Sequence, residues 1–354
     1  MTTVTQPTTE PTSQPTGLKP VLDVIPDRCR QRSTARGLGL VARDLALWAA
    51  AVVGIVAIDT WWLAPVFWLV GGLAVSGLFV LGHDAAHGAL FDRRTLNRWV
   101  ARVTMAPSLH AAEIWVFGHN RVHHGHTLRQ GMDFVWHPST AEEFSAMPRW
   151  QQLRHRFEWG PFGAGAYYLR EVWWNKMVRF TPPERWRRAM RLDQLFVAVY
   201  AVVMAAGAAG AAAALDRSAA TAAWWWAQAV VIPFVIFCQV IGWVVYVHHI
   251  APEIRWWPRR EWNRFRGQVE GTTVLWGPPG WDLIFHWIMV HLPHHVDMSI
   301  PCYHLPAAAR AIKAEFPDEV VEERISVARY LRSVRACKVH DFTTGQWSGY
   351  PTGN

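Results

Sequence analysis

The hydrophobic positions of the chain are concentrated in long runs with polar ends. The first run covers residues 45–81 and is almost pure hydrocarbon, broken only by Asp59, Thr60 and Pro65. A membrane-spanning helix needs about 20 apolar residues, and polar or turn-forming residues are expected where a chain reverses at a membrane surface. The run therefore predicts a transmembrane hairpin, whose short first arm is lengthened by residues 38–42.

A second pair of apolar runs follows later in the chain. Residues 195–215 and 222–247 are joined by the polar segment 216–218. The stretch 99–117 is less apolar and contains Pro107, so it predicts an interfacial or re-entrant helix rather than another span. The pattern as a whole predicts an all-α integral membrane protein with two transmembrane hairpins, hence four spans, and a cytoplasmic helical cap.

Composition supports a membrane protein once the distribution of charge is considered. Of the 354 residues 51% are hydrophobic and 23 are Trp, although the mean hydropathy is only +0.04 because charged residues lie outside the apolar runs. The net charge of +8 comes largely from segments beside those runs, at 28–36, 185–191 and 255–266, whereas the two reversal loops together carry one Arg. This placement favours contact with membrane lipid over nucleic acid. It predicts that both termini and the segments between hairpins face the cytoplasm of a bacterial-type cytoplasmic membrane.

The remaining segments divide the chain into three parts. Residues 1–19 are rich in Thr, Pro and Gln, which predicts a disordered tail rather than a signal peptide. Residues 20–315 form the expected membrane domain, and 316–354 a cytoplasmic C-terminal segment. The four cysteines are scattered without CxxC spacing, so we expect free thiols and neither a disulfide framework nor a zinc knuckle.

Histidine is the most informative residue type in the chain. About half of the 17 histidines fall in three clusters, and a further pair ends the fourth apolar run. The clusters are His83 and His87; His119, His123 and His124; and His291, His294 and His295, with the pair at His248 and His249.

The spacing within each cluster suits metal binding. Residues four apart on a helix lie about 5–6 Å apart at Cβ, so each cluster can present two imidazoles to one metal ion. His124 and His294 lie off that face and could reach a second metal. Imidazole suits iron, zinc, copper or nickel, so the ligand type leaves the metal open. Eight clustered histidines plus one from the pair are too many for one ion and about right for two.

These motifs carry a family resemblance. The clusters read GHDAAHG at 82–88, HNRVHHGHT at 119–127 followed by DFVW at 133–136, and HLPHH at 291–295 followed by IPCYH at 300–304. Their order, with the first at the end of one hairpin and the third after the other, resembles the membrane fatty-acid desaturase superfamily. The flanking residues are similar to those of bacterial acyl-lipid, delta-12-like desaturases.

The resemblance covers about residues 45–315 and implies a pair of non-haem iron ions held by histidines. The implied ligands are His83, His87, His119, His123, His124, His249, His291, His294 and His295. Residue 249 takes the place of a ligand that the family supplies from the fourth span, and the choice between His248 and His249 stays open. His286 stands where some relatives of this family carry a histidine. The competing interpretation is that it supports a metal ligand without binding the metal itself.

Polar residues beside the clusters are candidates for orienting the ligands. Histidines that bind metal usually donate their other ring N–H to a neighbouring acceptor, and we expect Asp84 and Asn120 to serve in this way. Asp297 is expected either to hydrogen-bond a ligand imidazole or to face water. Surface or packing roles are expected for His110, His126, His137, His155, His304 and His340.

The function implied by the resemblance is O2-dependent insertion of a double bond into an acyl chain. No side-chain acid or nucleophile attacks an unactivated C–H bond, so a cofactor must carry the chemistry. No haem-binding or CxxC-bearing segment is present in the sequence, so an external ferredoxin- or cytochrome-like electron donor is expected. The Trp-rich segments 159–174 and 256–276 are expected at the membrane interface, with an acyl-tunnel lining as the alternative.

Two other functions remain open from the residues alone. A di-iron membrane hydroxylase or ketolase acting on an alkane, carotenoid or natural product would use a similar metal site. A transporter or sensor of zinc or another metal is the third candidate, although transporters place ionisable ligands near the middle of the membrane and these histidines collect at span ends.

Overall fold

The structure is a computed structural model that describes residues 15–58, 60–133 and 135–352. Most of the predicted disordered tail, residues 1–14, lies outside the described residues, as does Asp59 in the first reversal loop. The described chain is mainly helical, with two small two-stranded sheets.

The α-helices include several of only one turn. They are α1 Lys19–Asp23, α2 Thr34–Ala57, α3 Ala64–Ala86, α4 Arg94–Met105, α5 Ala112–Val116, α6 His124–His126, α7 Ala141–Ala146, α8 Arg149–Glu158, α9 Ala164–Tyr167, α10 Arg187–Ala214, α11 Ala219–Trp226, α12 Ile232–His249, α13 Asp282–Phe285, α14 Leu292–Val296, α15 Leu305–Glu315 and α16 Val327–Ala336. The strands are β1 Thr273–Trp276, β2 Val321–Arg324, β3 Val339–Asp341 and β4 Gln346–Ser348.

Within the described residues, wider π-helical turns occur at four places, Phe117–His123, Tyr168–Val178, Ala227–Val231 and Arg266–Glu270. Short 3₁₀ turns occur at Asp27–Arg30, Trp61–Leu63, Ala106–Ser108, Glu184–Trp186 and Cys302–His304.

Four helices of the described chain are long and apolar enough to cross a membrane, as the hydrophobic pattern predicts. They cover Thr34–Ala57, Trp61–Ala86, Glu184–Ala214 and Ala219–His249. The most apolar window of the second and fourth is about half buried inside the protein (50% and 56%), against 6% for the third. The second and fourth therefore form the centre of the helical layer, and the third leaves nearly all its apolar surface uncovered by the rest of the described chain. Helix α2 packs on α3, α3 on α12, and α10 on α11. The grouping into two membrane hairpins stays a prediction.

The segment 99–117 is not the single helix that the sequence suggests. Helix α4 ends at Met105, a 3₁₀ turn follows, and Leu109 takes a left-handed conformation with φ 54° before α5 begins. Pro107 explains the break, because a proline inside a helix lacks the backbone N–H and clashes with the preceding turn.

The last part of the chain packs against the helical body. Strand β2 pairs in parallel with β1, joining residues near 322 to residues near 274, and β3 forms an antiparallel pair with β4. The Tyr330 hydroxyl donates a hydrogen bond to the carbonyl of Pro161, and the Trp347 indole donates one to the carbonyl of Ile254. The domain limits at residues 20, 315 and 316 stay predictions.

All four cysteines are free and buried, which confirms the expectation of free thiols.

Candidate metal centre

The histidine clusters lie where helices end. His83 and His87 are at the end of α3, and His248 and His249 complete α12. The second cluster runs through the π-helical turns Phe117–His123 into α6, and the third lies on and just before α14. Because α3 and α12 pack side by side, their ends bring distant parts of the sequence into one buried site.

Two groups of histidines present ligand atoms that all lie within 4.8 Å of one another. The first group consists of His83, His87, His119 and His294, and the second of His123, His249 and His295. The ring planes of the two groups are adjacent, since the His119 and His123 ring centroids lie 5.1 Å apart. The described chain therefore holds two neighbouring sites of the kind that the count of histidines predicts.

The other two predicted ligands lie at the edges of these groups. The Nε2 atom of His124 is 3.1 Å from Nε2 of His119 and 3.1 Å from Nε2 of His294, so it adjoins the first group. The Nε2 atom of His291 is 3.1 Å from Nε2 of His295, so it adjoins the second.

The structure separates His119 from His123, which the i,i+4 spacing would place on one metal. The segment Phe117–His123 is π-helical, and in a π-helix the residue that follows one turn later is i+5 rather than i+4. His119 accordingly meets His124, while His123 points toward His249 and His295. The prediction that His119 and His123 share one metal ion assumed an ideal α-helix, and the π-helical turns place these two residues in different groups.

Hydrogen bonds to the Nδ1 atoms orient several of these rings. The Nδ1 atom of His123 lies 2.9 Å from the Asp133 carboxylate, that of His295 lies 2.7 Å from Oε1 of Gln268, and that of His249 lies 3.0 Å from the carbonyl of Gly271. Each of these partners is an acceptor, so Nδ1 carries the proton and Nε2 presents its lone pair to the site.

Asp84 makes the corresponding contact at the first cluster. One carboxylate oxygen lies 3.3 Å from Nδ1 of His83, and the other accepts the backbone N–H of Cys302 at 2.6 Å. The Asp84 side chain therefore ties the end of α3 to the segment that follows the third cluster.

The donor set fits metal ions. Within the described residues, both ring nitrogens of His87 and Nε2 of His249 are buried without a hydrogen-bond partner, which is costly for a polar group. A metal ion would satisfy these atoms together.

Burial keeps the rings in the protonation state that metal binding requires. The pKa values of His87, His119, His124, His291, His294 and His295 lie well below the usual range, because burial disfavours the charged imidazolium and neighbouring histidines repel it. Metal ligands must be neutral imidazoles, so no proton has to be displaced near pH 7.

Other candidates from the sequence have different partners. The Asn120 amide N–H donates to the carbonyl of Ala86 at 3.1 Å, and its side-chain oxygen accepts from no imidazole among the described residues. His286 lies outside both groups, and its Nε2 is 2.6 Å from the carboxylate of Asp44 in helix α2. Asp297 neither meets an imidazole nor simply faces water, because it accepts a hydrogen bond from Arg30 Nε at 2.7 Å.

His248 also lies outside the two groups. Its ring stacks on that of His291, with centroids 3.8 Å apart and planes at 19°. Of the histidines expected to pack or lie at the surface, His110, His155 and His340 are buried.

Three orienting groups escaped the sequence-based reasoning. Asp133 is the first residue of the DFVW motif, ten residues after His123, and this motif is the sequence feature that could have indicated its role. Gln268 and the carbonyl of Gly271 carry no motif. They reach the site because the segment Arg266–Glu270 packs beside α14.

An apolar cavity adjoins the histidines. Its walls include Phe79 of α3, Ile241 and Val244 of α12, and Tyr168 and Val172 of the π-helical segment Tyr168–Val178. His83, His119, His123, His248, His249 and His291 form its polar end. A hydrocarbon chain in this cavity would lie directly against both groups of ligands.

The tryptophans of 159–174 and 256–276 are absent from the described lining of this cavity, to which Trp115 alone contributes an indole. Trp159 and Trp256 instead lie buried in the interior. The segment 159–174 nevertheless contributes Tyr168 and Val172 to the cavity wall, so the tunnel-lining alternative holds for part of that segment, whereas none of the described lining comes from 256–276.

Comparisons with known proteins agree with the site. The family model described as fatty acid desaturase matches residues 59–326. The sn-1 oleoyl-lipid 12-desaturase of Synechocystis sp. is 26% identical over 92% of this chain and 89% of its own length. The protein of that name from Anabaena variabilis is 28% identical over 86% of this chain and 84% of its own length. An sn-1 acyl-lipid omega-3 desaturase (ferredoxin) of Synechocystis sp. is 27% identical over 84% of this chain and 80% of its own length.

A helical membrane protein with a histidine-rich metal centre against an apolar cavity is the class that fold and site define. Because the family model covers most of the chain, the protein belongs to the fatty acid desaturase family. It is therefore an oxidoreductase of lipid metabolism.

Proposed function

We propose that the protein uses O2 and a pair of non-haem iron ions to insert a double bond into the acyl chain of a membrane lipid. The observation that carries the proposal is the contact between the two histidine groups and the apolar cavity. The similarity to relatives named acyl-lipid and oleoyl-lipid desaturases supports this substrate class.

The proposed ligands of one iron are His83, His87, His119 and His294 with His124 beside them, and those of the other are His123, His249 and His295 with His291 beside them. When bound, the iron pair would supply the O2 chemistry that removes hydrogen from an unactivated C–H bond. Asp133, Gln268 and the carbonyl of Gly271 hold three rings in the tautomer that directs Nε2 to the metal.

The protein's part in the reaction is to position the chain and exclude water. Phe79, Ile241, Val244 and Val172 offer no hydrogen-bonding group, so acyl methylenes replace water at the polar end of the cavity. Overall, one O2, two electrons and two protons convert a –CH2–CH2– unit into –CH=CH– and two water molecules.

The two electrons come from an external donor in this proposal. A ferredoxin- or cytochrome-like protein would serve, and the word ferredoxin in the name of one relative favours the former. The positive-inside pattern further supports a cytoplasmic active site and cytoplasmic termini.

Fatty-acid profiling in a bacterial host that lacks desaturation tests the proposal. Cells expressing the wild type should accumulate acyl chains that have lost two hydrogen atoms, and cells expressing His123→Ala should not. His155→Ala is a matched control, because His155 is also buried but lies away from both groups. A product that has gained one oxygen atom would instead support the hydroxylase alternative, and purified protein holding zinc and no iron after iron-replete growth would overturn the di-iron proposal.

A further inference from the structure

A second cavity reaches the first histidine group at His87. Its lining includes Ala86 and His87 from the end of α3, Glu113 and Val116 of α5, and Arg94, Arg98 and Arg102 of helix α4. These three arginines are four residues apart, so they form one row along α4. We call this space the arginine cavity.

The charges in the arginine cavity are unbalanced. Arg102 is neutralised, because it pairs with Asp193 at 2.7 Å and with Glu113 at 3.3 Å. Arg94 and Arg98 are exposed, and among the residues that the structure describes neither has an ion-pair partner. The cavity therefore presents two unpaired positive charges at its rim.

The arginine cavity and the apolar cavity meet different histidines. His87 lines the arginine cavity and is not part of the described lining of the apolar one, whereas His83 and His119 line only the apolar cavity. A species in the arginine cavity can therefore approach the first metal group while an acyl chain occupies the other side.

We propose that the arginine cavity is the docking site of an acidic one-electron carrier protein, with His87 as the metal ligand nearest to the docked carrier. The inference rests on the proposed function, which needs two electrons delivered singly. Electron transfer weakens steeply with distance, so a carrier that is too large to enter either cavity should dock over an opening lined by a metal ligand, and His87 lines the arginine cavity. The unpaired Arg94 and Arg98 attract a negatively charged partner and orient it during the encounter.

Kinetics with the full-length, iron-loaded protein in neutral-lipid nanodiscs test the docking site. The probe is a reduced, negatively charged two-iron ferredoxin, and double-bond formation is measured against its concentration at low ionic strength. The double variant Arg94→Glu/Arg98→Glu should raise the KM for ferredoxin about tenfold or more and flatten its salt dependence. The milder pair Arg94→Gln/Arg98→Gln should raise it less.

Two controls separate docking from other effects. Arg149→Glu/Arg335→Glu makes the same charge change at two exposed arginines outside the arginine cavity, and its KM should stay within about twofold of wild type. Turnover with dithionite and an uncharged mediator needs no docking, so the rim variants should match the wild type there and keep its iron content.

The outcomes are distinct. An unchanged KM in the rim variants, or an equal rise in the control pair, would overturn the docking site. A loss that occurs only in nanodiscs containing anionic phosphatidylglycerol would identify the rim as a lipid contact and also overturn it. A wild type that forms no double bond with either reductant would instead refute the proposed function.

Discussion

His248 and His249 are neighbours in sequence with different surroundings. The His249 ring is fixed by the Gly271 carbonyl and turned toward His123 and His295, whereas His248 stacks flat on His291. Because successive residues of a helix point about 100° apart, only one of them can face the second group.

We expect His249→Phe to lose metal and His248→Phe to retain it. The first change removes a ligand atom, and the second keeps an aromatic ring on His291. Iron content per chain after anaerobic loading is the measurement, with His155→Phe as a control. Equal iron loss in the two variants would show that the choice of His249 is wrong.

His340 gives the protein a pH-dependent stability outside the metal site. It is buried beside Trp256, whose backbone N–H donates to its Nε2 at 3.3 Å, and burial lowers the pKa of its imidazole to about 4. The unfolded chain binds this proton near pH 6.5, so the stabilisation is present above that pH and is lost as pH falls toward 4.

We expect His340→Phe to remove this part of the pH dependence. Between pH 7 and 5 the wild type should lose about 2 kcal/mol more unfolding free energy than the variant. Urea unfolding in detergent at the two pH values measures the difference. His304→Phe is the control, since His304 is less buried, and the same slope in wild type and His340→Phe would contradict the expectation.

At the scale of elements, the cavity depends on close approach between helix α12 and the segment that begins with α9. Gly242 faces Ala164, and a Cβ atom at position 242 would meet the carbonyl of Ala164 and lie 3.0 Å from the Cβ of Tyr168. The missing side chain lets Tyr168 and Val172 reach the cavity wall.

Gly242→Ala should therefore weaken the protein despite alanine's higher helix propensity. Overpacking of this kind costs about 1–3 kcal/mol and should lower the midpoint of thermal unfolding as well as acyl-chain turnover. Gly207→Ala in α10 is the matched control, because nothing lies within 4 Å of its added Cβ and the change should be neutral or stabilising. Equal midpoints for the two variants would rule out the close packing as the cause.

The long helices could be predicted from the hydrophobic pattern, whereas the π-helical turns could not. The four long apolar runs predict the four long helices. A segment of about 20 apolar residues in lipid must satisfy its own backbone hydrogen bonds, and an α-helix does this within a single segment. The π-helical turns at Phe117–His123 leave no comparable mark in composition, and they decide which histidines meet.

At the scale of the whole molecule, the predicted orientation can be tested by cysteine labelling. The four native cysteines are buried, so we expect little maleimide labelling of the wild type. Ser218, between α10 and α11, and Ser348, in β4, are both exposed. A membrane-impermeant maleimide added to intact cells should label Ser218→Cys and leave Ser348→Cys unlabelled until the membrane is opened. The reverse pattern would invert the proposed topology.

The sequence by itself determined the helical membrane class, the four long helices, and the three clusters and the His248–His249 pair that together supply the histidines of both metal groups. These features depend on hydrophobic composition and on the spacing of residues close together in the sequence, and both are local properties of the chain. Only the tertiary structure decided how the histidines divide between the two groups, that Asp133, Gln268 and Gly271 orient them, and that separate cavities meet His83 and His87. Such contacts join residues far apart in the chain, and they depend on helix packing and π-helical geometry that no local pattern records.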